Sequence, residues 1–231
     1  MESVTKIRLA VFDVAGTTAH DDGLVVEAFQ SAMISLGVGA DTPELEKMTE
    51  YVNATMGERK IDVFTHLCEG DAERANLAHD AFIESYISLV NAGKLREFDG
   101  ITALFDHLRS QGTAVAITTG FPRAILANII TALHWEQHID FSVAASEVER
   151  GRPAPDMILK SISLYDQKFS TQLTGADIAV IGDTESDIKS GLAAQALIIA
   201  GVKTGAHTEA QLLAAGATHV LERATDLTTI C

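Results

Sequence analysis

The sequence contains few cysteines, few prolines and no long apolar run. Its two cysteines are Cys68 and Cys231. Because Cys231 is the last residue, we expect no structural disulfide, and two thiols are too few for a cysteine-rich zinc site. No apolar run approaches the roughly 18 residues that span a bilayer, and residues 1–9 lack the apolar core of a signal peptide. We therefore expect a cytoplasmic protein without a membrane partner.

Positive charge is also scarce. The 231 residues include 17 basic and 32 acidic side chains, and the formal net charge is −15. Such a surface repels phosphate backbones, so we expect no nucleic-acid partner. An anionic substrate must instead be attracted by a few local cations or by a metal ion. The length suits either one domain with an insertion or two small domains.

Short apolar runs rich in Val, Ile and Ala alternate with helical patterns. The predicted strands are Ile7–Phe12, Thr113–Ile117, Phe141–Ala144, Ile178–Ile181, Ala196–Ala200 and Ala217–Leu221. From the second strand onward, helical patterns separate them at Pro122–Leu133, Asp156–Leu164, Glu185–Ala194 and Glu209–Ala215. This alternation predicts an α/β fold in which helices cover both faces of a parallel sheet.

The first two predicted strands are separated by residues 13–112. A crossover between parallel strands needs only about a dozen residues. The intervening stretch has helical patterns at Val25–Leu36, Pro43–Asn53, Lys60–Cys68, Asp71–Ala92 and Ile101–Ser110. We therefore expect an α-helical cap at residues 23–98, inserted into a parallel-sheet core formed by residues 1–22 and 99–231.

Carboxylates follow two of the predicted strands. Asp13 ends the first strand, and Asp183 follows the fourth, with Asp187 close behind. Ligands of an open parallel sheet bind beyond the carboxyl ends of its strands, and clustered carboxylates suit Mg²⁺. Each residue also has a simpler interpretation, because Asp13 could cap a turn and Asp187 could cap a helix. Capping does not explain why both strand ends are so acidic.

Two further strand ends carry groups that suit a phosphoryl anion. Thr119 and Gly120 follow the second strand, and Arg152 lies in a loop that enters a helix. Thr17 adds a hydroxyl and an N–H to the turn after Asp13. Hydroxyls, backbone amides and a guanidinium all donate hydrogen bonds to anions.

Together these segments resemble the haloacid dehalogenase superfamily of phosphohydrolases. The matching motifs are Asp13–Thr17, Thr119–Gly120, Gly151–Asp156 and Gly182–Asp187. The resemblance implies a Rossmann-like core with a cap, and Asp13 as the nucleophile that attacks phosphorus. It implies Mg²⁺ on Asp13, the backbone carbonyl of Ala15 and Asp183, with Asp187 supporting the metal. The implied phosphoryl ligands are Thr119 and Arg152, while Thr17 and Gly120 are substrate-binding candidates on their residue types alone.

Ala15 departs from the superfamily pattern, where a second Asp acts as general acid and base. Either the enzyme is weakened, or its leaving group needs a different catalyst. The segments Asp13–Thr18 and Met56–Asp62 resemble phosphonatase, as does Arg152 in place of Lys. That resemblance implies substrate contact at Met56 and a Schiff base on Lys60, which would let a phosphorus–carbon bond break. The polar residues of phosphonatase are missing at Leu24, Val63 and Phe121.

Three hypotheses remain open from the sequence. The leading one is cleavage of phosphonoacetaldehyde or a related phosphonate aldehyde through Lys60 and Asp13. The second keeps Asp13 and Mg²⁺ but takes a phosphate monoester, with Lys60 binding the anion as a cation. The third is a phosphometabolite-binding module without turnover. A homodimer formed through the cap is also possible, although the stripe of Phe29, Met33 and Leu36 reads as core.

Overall fold

The computed structural model describes residues 7–230, and its centre is one parallel sheet. The strands are β1 (Leu9–Phe12), β2 (Ala114–Thr119), β3 (Phe141–Ala144), β4 (Ile178–Gly182), β5 (Ile198–Val202) and β6 (His219–Leu221). Their order across the sheet is β3-β2-β1-β4-β5-β6. Leu9 of β1 lies between Ala114 of β2 and Ile178 of β4. The predicted α/β fold with a Rossmann-like parallel sheet is confirmed.

Helices cover both faces of this sheet. Those that follow the insertion are α5 (Ile101–Ser110), α6 (Arg123–Ala132), α7 (Asp156–Phe169), α8 (Glu185–Ala193) and α9 (Glu209–Ala215). The strands β1, β2, β4 and β5 are buried along their whole length, as expected for strands covered on both faces. Helix α7 runs five residues beyond its predicted end at Leu164, because Tyr165 continues its buried face and Ser170 ends it with φ 52°.

The stretch between β1 and α5 contains four helices and no strand of the sheet. They are α1 (Leu24–Ser35), α2 (Pro43–Ala54), α3 (Lys60–Leu67) and α4 (Ala72–Asn91). The side chains of Thr42 and Asp71 cap α2 and α4 by accepting backbone N–H bonds. The two passages that lead into and out of this insertion run side by side, since His20 N donates to Arg96 O (2.9 Å) and Phe98 N to Thr18 O (3.1 Å). The exact domain boundaries stay a prediction.

Aromatic rings join the helical insertion to the sheet domain. The ring of Phe64 packs 5.8 Å from Phe29 and 5.7 Å from Phe82, measured between centroids. The series continues through Tyr86 to Phe121, whose rings are 4.6 Å apart. Phe121 lies just beyond β2, so the insertion is packed directly over the carboxyl end of that strand.

The remaining expectations concern a dimer surface, the two cysteines, the N-terminal segment and membrane-spanning helices. Phe29 and Met33 are buried within this chain's own core, so they offer no dimer surface, and the homodimer stays a prediction. Cys68 is buried. Cys231 and most of the N-terminal segment examined for a signal peptide lie outside the described residues. No helix within residues 7–230 has both the length and the apolar character to cross a bilayer.

The hydroxyl of Tyr86 gives a stability prediction. Tyr86 is fully buried, and its Oη has no hydrogen-bond partner among residues 7–230. Burying an unpaired hydroxyl costs about 1–3 kcal/mol, so Tyr86→Phe should raise the free energy of unfolding by about 1 kcal/mol. Urea denaturation measures this change. A decrease would mean that the hydroxyl has a bound partner, such as a buried water molecule.

Candidate active site

Three carboxylates converge where β1 and β4 lie side by side. Asp13 directly follows β1, Asp183 directly follows β4, and Asp187 lies in the first turn of α8. One oxygen of each lies within 4.8 Å of the others, and all three side chains are buried. Adjacent parallel strands end at the same edge of a sheet, which brings two of these residues together from opposite parts of the chain.

Arg152 holds this cluster from the loop before α7. Its Nη1 donates to Asp13 Oδ1 at 2.5 Å and lies 2.9 Å from Asp187 Oδ1. Its Nη2 donates to Thr118 Oγ1 at 2.6 Å. The guanidinium therefore bridges two carboxylates. It does not line the cavity that lies between the helical insertion and the sheet domain. Its predicted contact with a phosphoryl group stays a prediction.

The cluster holds more negative than positive charge. Burial raises the pKa of Asp183 well above its ordinary range, and the charges of Asp13 and Asp187 raise it further. Burial also raises the pKa of Asp13, although Arg152 opposes that shift. Burial alone would lower the pKa of Arg152, but Asp187 and Asp13 outweigh it and raise the pKa. Three buried carboxylates beside one guanidinium are short of positive charge, so a divalent cation with oxygen ligands fits this site.

Oxygen atoms that could hold such a cation lie on a cavity between the helical insertion and the sheet domain. Asp13 and Asp183 line the cavity together with Ala15, whose backbone carbonyl accepts no hydrogen bond within residues 7–230. Asp187 is turned away from the cavity, since its Oδ2 accepts bonds from Thr184 N (3.1 Å) and Thr184 Oγ1 (2.6 Å). The predicted metal ligands Asp13, Ala15 and Asp183 thus lie together on the cavity, while Asp187 is bound to Arg152 and Thr184, and the ligand assignment stays a prediction.

Thr17 occupies a different place from the one its motif implied. Its hydroxyl donates to Asp183 Oδ1 at 3.0 Å, and Thr17 does not line the cavity. Asp183 Oδ2 accepts from Ala206 N at 2.8 Å. A Cβ at Gly205 would overlap the Asp183 carboxylate, so only glycine fits there. Thr17 therefore orients a metal-ligand candidate, and its predicted contact with substrate stays a prediction.

A cavity of about 290 Å³ lies between the insertion and the sheet domain. The sheet domain contributes Asp13, Ala15, Thr119, Gly120, Phe121, Asp183 and the loop 204–206. The insertion and its entrance contribute Met56, Gly57, Lys60, Val25, Phe98 and residues 20–22. Asp13 and Lys60, predicted from separate motifs, therefore face one cavity. Thr119 Oγ1 accepts from Phe121 N (3.3 Å), and its own proton has no acceptor within residues 7–230.

Lys60 is an unusual lysine because it is buried. Only 5% of its surface is exposed, and no residue within 7–230 forms a hydrogen bond or ion pair with its Nζ. Burial lowers the pKa of Lys60 from 10.5 to about 8, although Asp21, Asp13 and Glu58 oppose that shift. A substantial fraction of the amine is thus neutral near physiological pH, which is the nucleophilic form.

The turn before α3 contacts the sheet domain through hydrogen bonds at Lys60 and Arg59. Lys60 N donates to Gly120 O at 3.3 Å, and Arg59 Nη1 donates to Glu149 O at 3.1 Å. A Cβ at Gly120 would overlap the carbonyl oxygen of Glu58 and come within 2.8 Å of that of Gly57. Gly120, predicted as a substrate ligand, lines the cavity and also permits this close approach.

Gly120→Ala should therefore displace the turn that positions Lys60. A shift of about 1 Å at a reacting group can cost roughly 100-fold in rate, so we expect kcat/KM to fall about 100-fold. The comparison is steady-state phosphate release by wild type and variant, with melting temperatures recorded alongside. Full activity with an unchanged melting temperature would show that the turn is not needed for catalysis.

Several residues of the site were not predicted from the sequence. Thr118 binds Arg152, and Asp21 lines the cavity beside the entrance to α1. The loop at residues 204–206 follows β5, so the rule that ligands bind at strand ends could have identified it. Asp21 had no such signal, because it lies in a turn outside every strand.

Comparison with known proteins agrees with this geometry. The sequence profile of haloacid dehalogenase-like hydrolases matches residues 10–201, which is most of the chain. The chain belongs to the haloacid dehalogenase-like hydrolase family. The matched segment includes the acidic cluster and the insertion that carries Lys60.

Named relatives of this hydrolase have different activities. A bifunctional riboflavin kinase/FMN phosphatase of Arabidopsis thaliana is 24% identical over 82% of this chain and 47% of its own length. A bifunctional phosphonoacetaldehyde hydrolase/aminoethylphosphonate transaminase of Clostridioides difficile is 29% identical over 86% of this chain and 32% of its own length. The chain thus spans less than half of either relative. A phosphonoacetaldehyde hydrolase-like protein of Oleispira antarctica, 22% identical, has the same fold with a TM-score of 0.78 over 97% of this chain and 91% of that one.

Proposed function

We propose that this hydrolase depends on Mg²⁺ and cleaves the phosphorus–carbon bond of phosphonoacetaldehyde or a related phosphonate aldehyde. The observation that carries the proposal is Lys60, a buried amine of lowered pKa that faces the same cavity as Asp13. Ala15 supports it, because the position of the usual acid holds a side chain that cannot transfer protons. The relative from Clostridioides difficile, named for phosphonoacetaldehyde hydrolysis, supports the same substrate class.

The proposed reaction begins at Lys60. Its neutral Nζ attacks the aldehyde carbon, and loss of water leaves an iminium that can accept an electron pair. Met56, Val25 and Phe121 form apolar walls of the cavity, which would exclude water from this adduct. A phosphorus–carbon bond breaks heterolytically only when the carbon has such an acceptor, so the lysine replaces the missing acid.

In the second half of the proposed reaction, Asp13 accepts the phosphoryl group. Its carboxylate oxygen attacks phosphorus while the electrons of the phosphorus–carbon bond move into the iminium and form an enamine. Arg152, which does not line the cavity, donates a hydrogen bond to Asp13, and the hydroxyl proton of Thr119 can be donated to a phosphoryl oxygen. Bound at Asp13, Ala15 and Asp183, Mg²⁺ would neutralise charge on the carboxylates and on the phosphoryl group. Water then releases phosphate from Asp13 and acetaldehyde from Lys60.

The test is phosphate release from phosphonoacetaldehyde with Mg²⁺, together with borohydride trapping. Lys60→Arg keeps a positive charge but cannot form an iminium, so we expect at least about a 1,000-fold loss and no reduced adduct. Lys94→Arg is the matched control, since Lys94 lies near the end of the insertion with its Nζ paired to Glu27 at 2.7 Å. The control should retain wild-type rate and adduct yield.

The initial rate at which the borohydride-trapped adduct forms should also depend on pH. Because the pKa of Lys60 is about 8, the neutral amine becomes more abundant as the pH rises through that value. The initial rate of adduct formation should therefore be low at acid pH, where little of the amine is neutral. A rate that is highest at acid pH would contradict attack by the neutral amine.

The alternative substrate is a small phosphate monoester. The FMN phosphatase relative favours it, and Lys60 carries a positive charge below its pKa, which would bind an anion. Wild type would then ignore the phosphonate aldehyde, cleave an ester and keep that activity in Lys60→Arg. The absence of phosphate release from either class would favour a phosphometabolite-binding protein without turnover.

A further inference from the structure

We propose that Asp21 is the acid–base residue that moves protons during formation and hydrolysis of the Lys60 adduct. This assignment rests on the proposed function. It gives a role to a carboxylate that neither the motifs nor the metal site explains. It also identifies what performs the proton transfers that Ala15 cannot.

The position of Asp21 suits that role. Asp21 lines the cavity on the passage that enters α1, on the same side as Lys60. Its Oδ1 accepts a hydrogen bond from Val25 N at 3.2 Å, which fixes the carboxylate against the start of the helix. The backbone N–H of Gly23 also donates to this carboxyl group. The carboxylate is therefore held in place at the wall of the cavity.

The electrostatics couple Asp21 to Lys60 more than to any other group. Among the charges that raise the pKa of Lys60, Asp21 has the largest effect, ahead of Asp13 and Glu58. In turn, burial raises the pKa of Asp21, while hydrogen bonds from Val25 and Gly23 and the charge of Lys60 lower it. The net effect raises the pKa of Asp21, which is the direction that a proton donor needs.

The other titratable groups of the cavity are engaged elsewhere. Asp13 and Asp183 belong to the acidic cluster. Asp22 is half exposed and pairs with Arg96 at 3.1 Å. His20 packs on the ring of Phe98, with 3.8 Å between centroids, and its Nδ1 lies 3.8 Å from Asp22. Glu58 also acts on the charge of Lys60 but does not line the cavity, so Asp21 is the remaining acid among the residues that line it.

The proton transfers balance with one carboxyl group. Lys60 Nζ adds to the aldehyde carbon and forms a carbinolamine, and protonated Asp21 gives its proton to the departing hydroxyl. Water leaves, the carbon–oxygen bond breaks, and the nitrogen lone pair forms the iminium. After the phosphoryl group has moved to Asp13, the enamine carbon takes a proton from water and becomes an iminium, and the hydroxide left behind is consumed when the phosphoryl group on Asp13 is hydrolysed. Ionised Asp21 then takes a proton from the water that attacks the new iminium, and acetaldehyde and the Lys60 amine are released.

Substitution to asparagine separates proton transfer from structure. Asp21→Asn retains an oxygen that can accept from Val25 N but cannot transfer a proton. We expect kcat for phosphate release from phosphonoacetaldehyde to fall about 100-fold or more, with slower accumulation of the borohydride-trapped adduct. Asp41→Asn, at an exposed carboxylate that does not line the cavity, is the matched control and should stay within about twofold of wild type. The melting temperature of Asp21→Asn should match that of the control.

If Asp21 acted only through its charge, its removal would change the rate of adduct formation in the opposite direction. Lys60 is influenced by Asp21, Asp13, Glu58 and Arg152, and removing the charge of Asp21 lowers its pKa further. More amine would then be neutral at pH 7, and adduct formation would become faster. Slower trapping at every pH supports proton transfer by Asp21, and partial rescue of Asp21→Ala by added formate supports it further.

The outcomes distinguish this assignment from the proposed function. If wild type cleaves phosphonoacetaldehyde and Asp21→Asn matches it within twofold, the assignment of Asp21 is overturned and the proposed function stands. Faster trapping in Asp21→Asn also overturns it. If wild type gives neither phosphate nor adduct, the proposed function fails, and the assignment fails with it.

Discussion

Asp13→Asn should lower the rate of phosphate release by at least about 10,000-fold with every substrate that wild type turns over. An amide is too weak a nucleophile to attack phosphorus, and within residues 7–230 no other carboxylate occupies the end of β1. Arg152 keeps its contacts with Asp187 and Thr118, so the variant should fold. The measurement is single-turnover phosphate release at saturating enzyme.

The same variant should change how Mg²⁺ affects stability. Removing one of three buried carboxylates relieves repulsion, so Asp13→Asn should melt at the same or a higher temperature than wild type without Mg²⁺. The rise in melting temperature that Mg²⁺ causes should shrink, because one ligand is lost. Asp106→Asn, an exposed carboxylate beside His138, is the control and should keep the full rise. An equal rise in all three proteins would place the metal elsewhere.

Lys60→Met should abolish phosphonate cleavage and stabilise the fold. Holding a buried amine costs free energy, because its pKa is about 8 in the folded chain and 10.5 ordinarily. At about 1.4 kcal/mol for each pKa unit, the variant should gain up to about 3 kcal/mol at pH 7. Urea denaturation measures this gain. Lys94→Met, at an exposed ion pair, should change stability by less than about 0.5 kcal/mol.

The direction in which folding stability changes with pH gives this prediction a second test. Between pH 8 and 10.5 the unfolded chain binds more protons at Lys60 than the folded chain does, so wild-type stability should rise with pH across that interval. Below pH 8 the cost of the buried charge is fully present, and above 10.5 it is gone. The advantage of Lys60→Met should therefore be constant at low pH and vanish at high pH. An advantage that persists above pH 10.5 would have to come from packing alone.

Much of the fold could be predicted from the pattern of apolar residues. Strands such as β1 and β4 are continuous buried runs, and a buried strand can tolerate little else. The positions of Asp13 and Asp183 follow from those runs, because parallel strands place their carboxyl ends together. The insertion was visible as a helical stretch too long for a crossover. Helix ends, such as the extension of α7 to Phe169, could be predicted less well, because local patterns define them weakly.

The roles of individual side chains could be predicted only in part. Motif spacing placed Arg152 and Thr17 near a phosphoryl site, but their partners are Asp13, Asp187 and Asp183. A side chain binds the partner that lies nearest in space, and these partners come from distant parts of the chain. Asp21 could not be identified from the sequence for the same reason, since it and Lys60 line one cavity although they are far apart in the chain.

The sequence by itself determined the parallel sheet, the helical insertion and the identity of the groups at the strand ends, because these depend on local composition and on strand order. Only the tertiary structure decided that Lys60 is buried, and that Lys60, Asp13 and Asp21 line one cavity. Burial and electrostatic coupling arise when the insertion packs on the sheet domain through Gly120 and Phe121. They depend on distances between segments far apart in the chain, which no local pattern encodes.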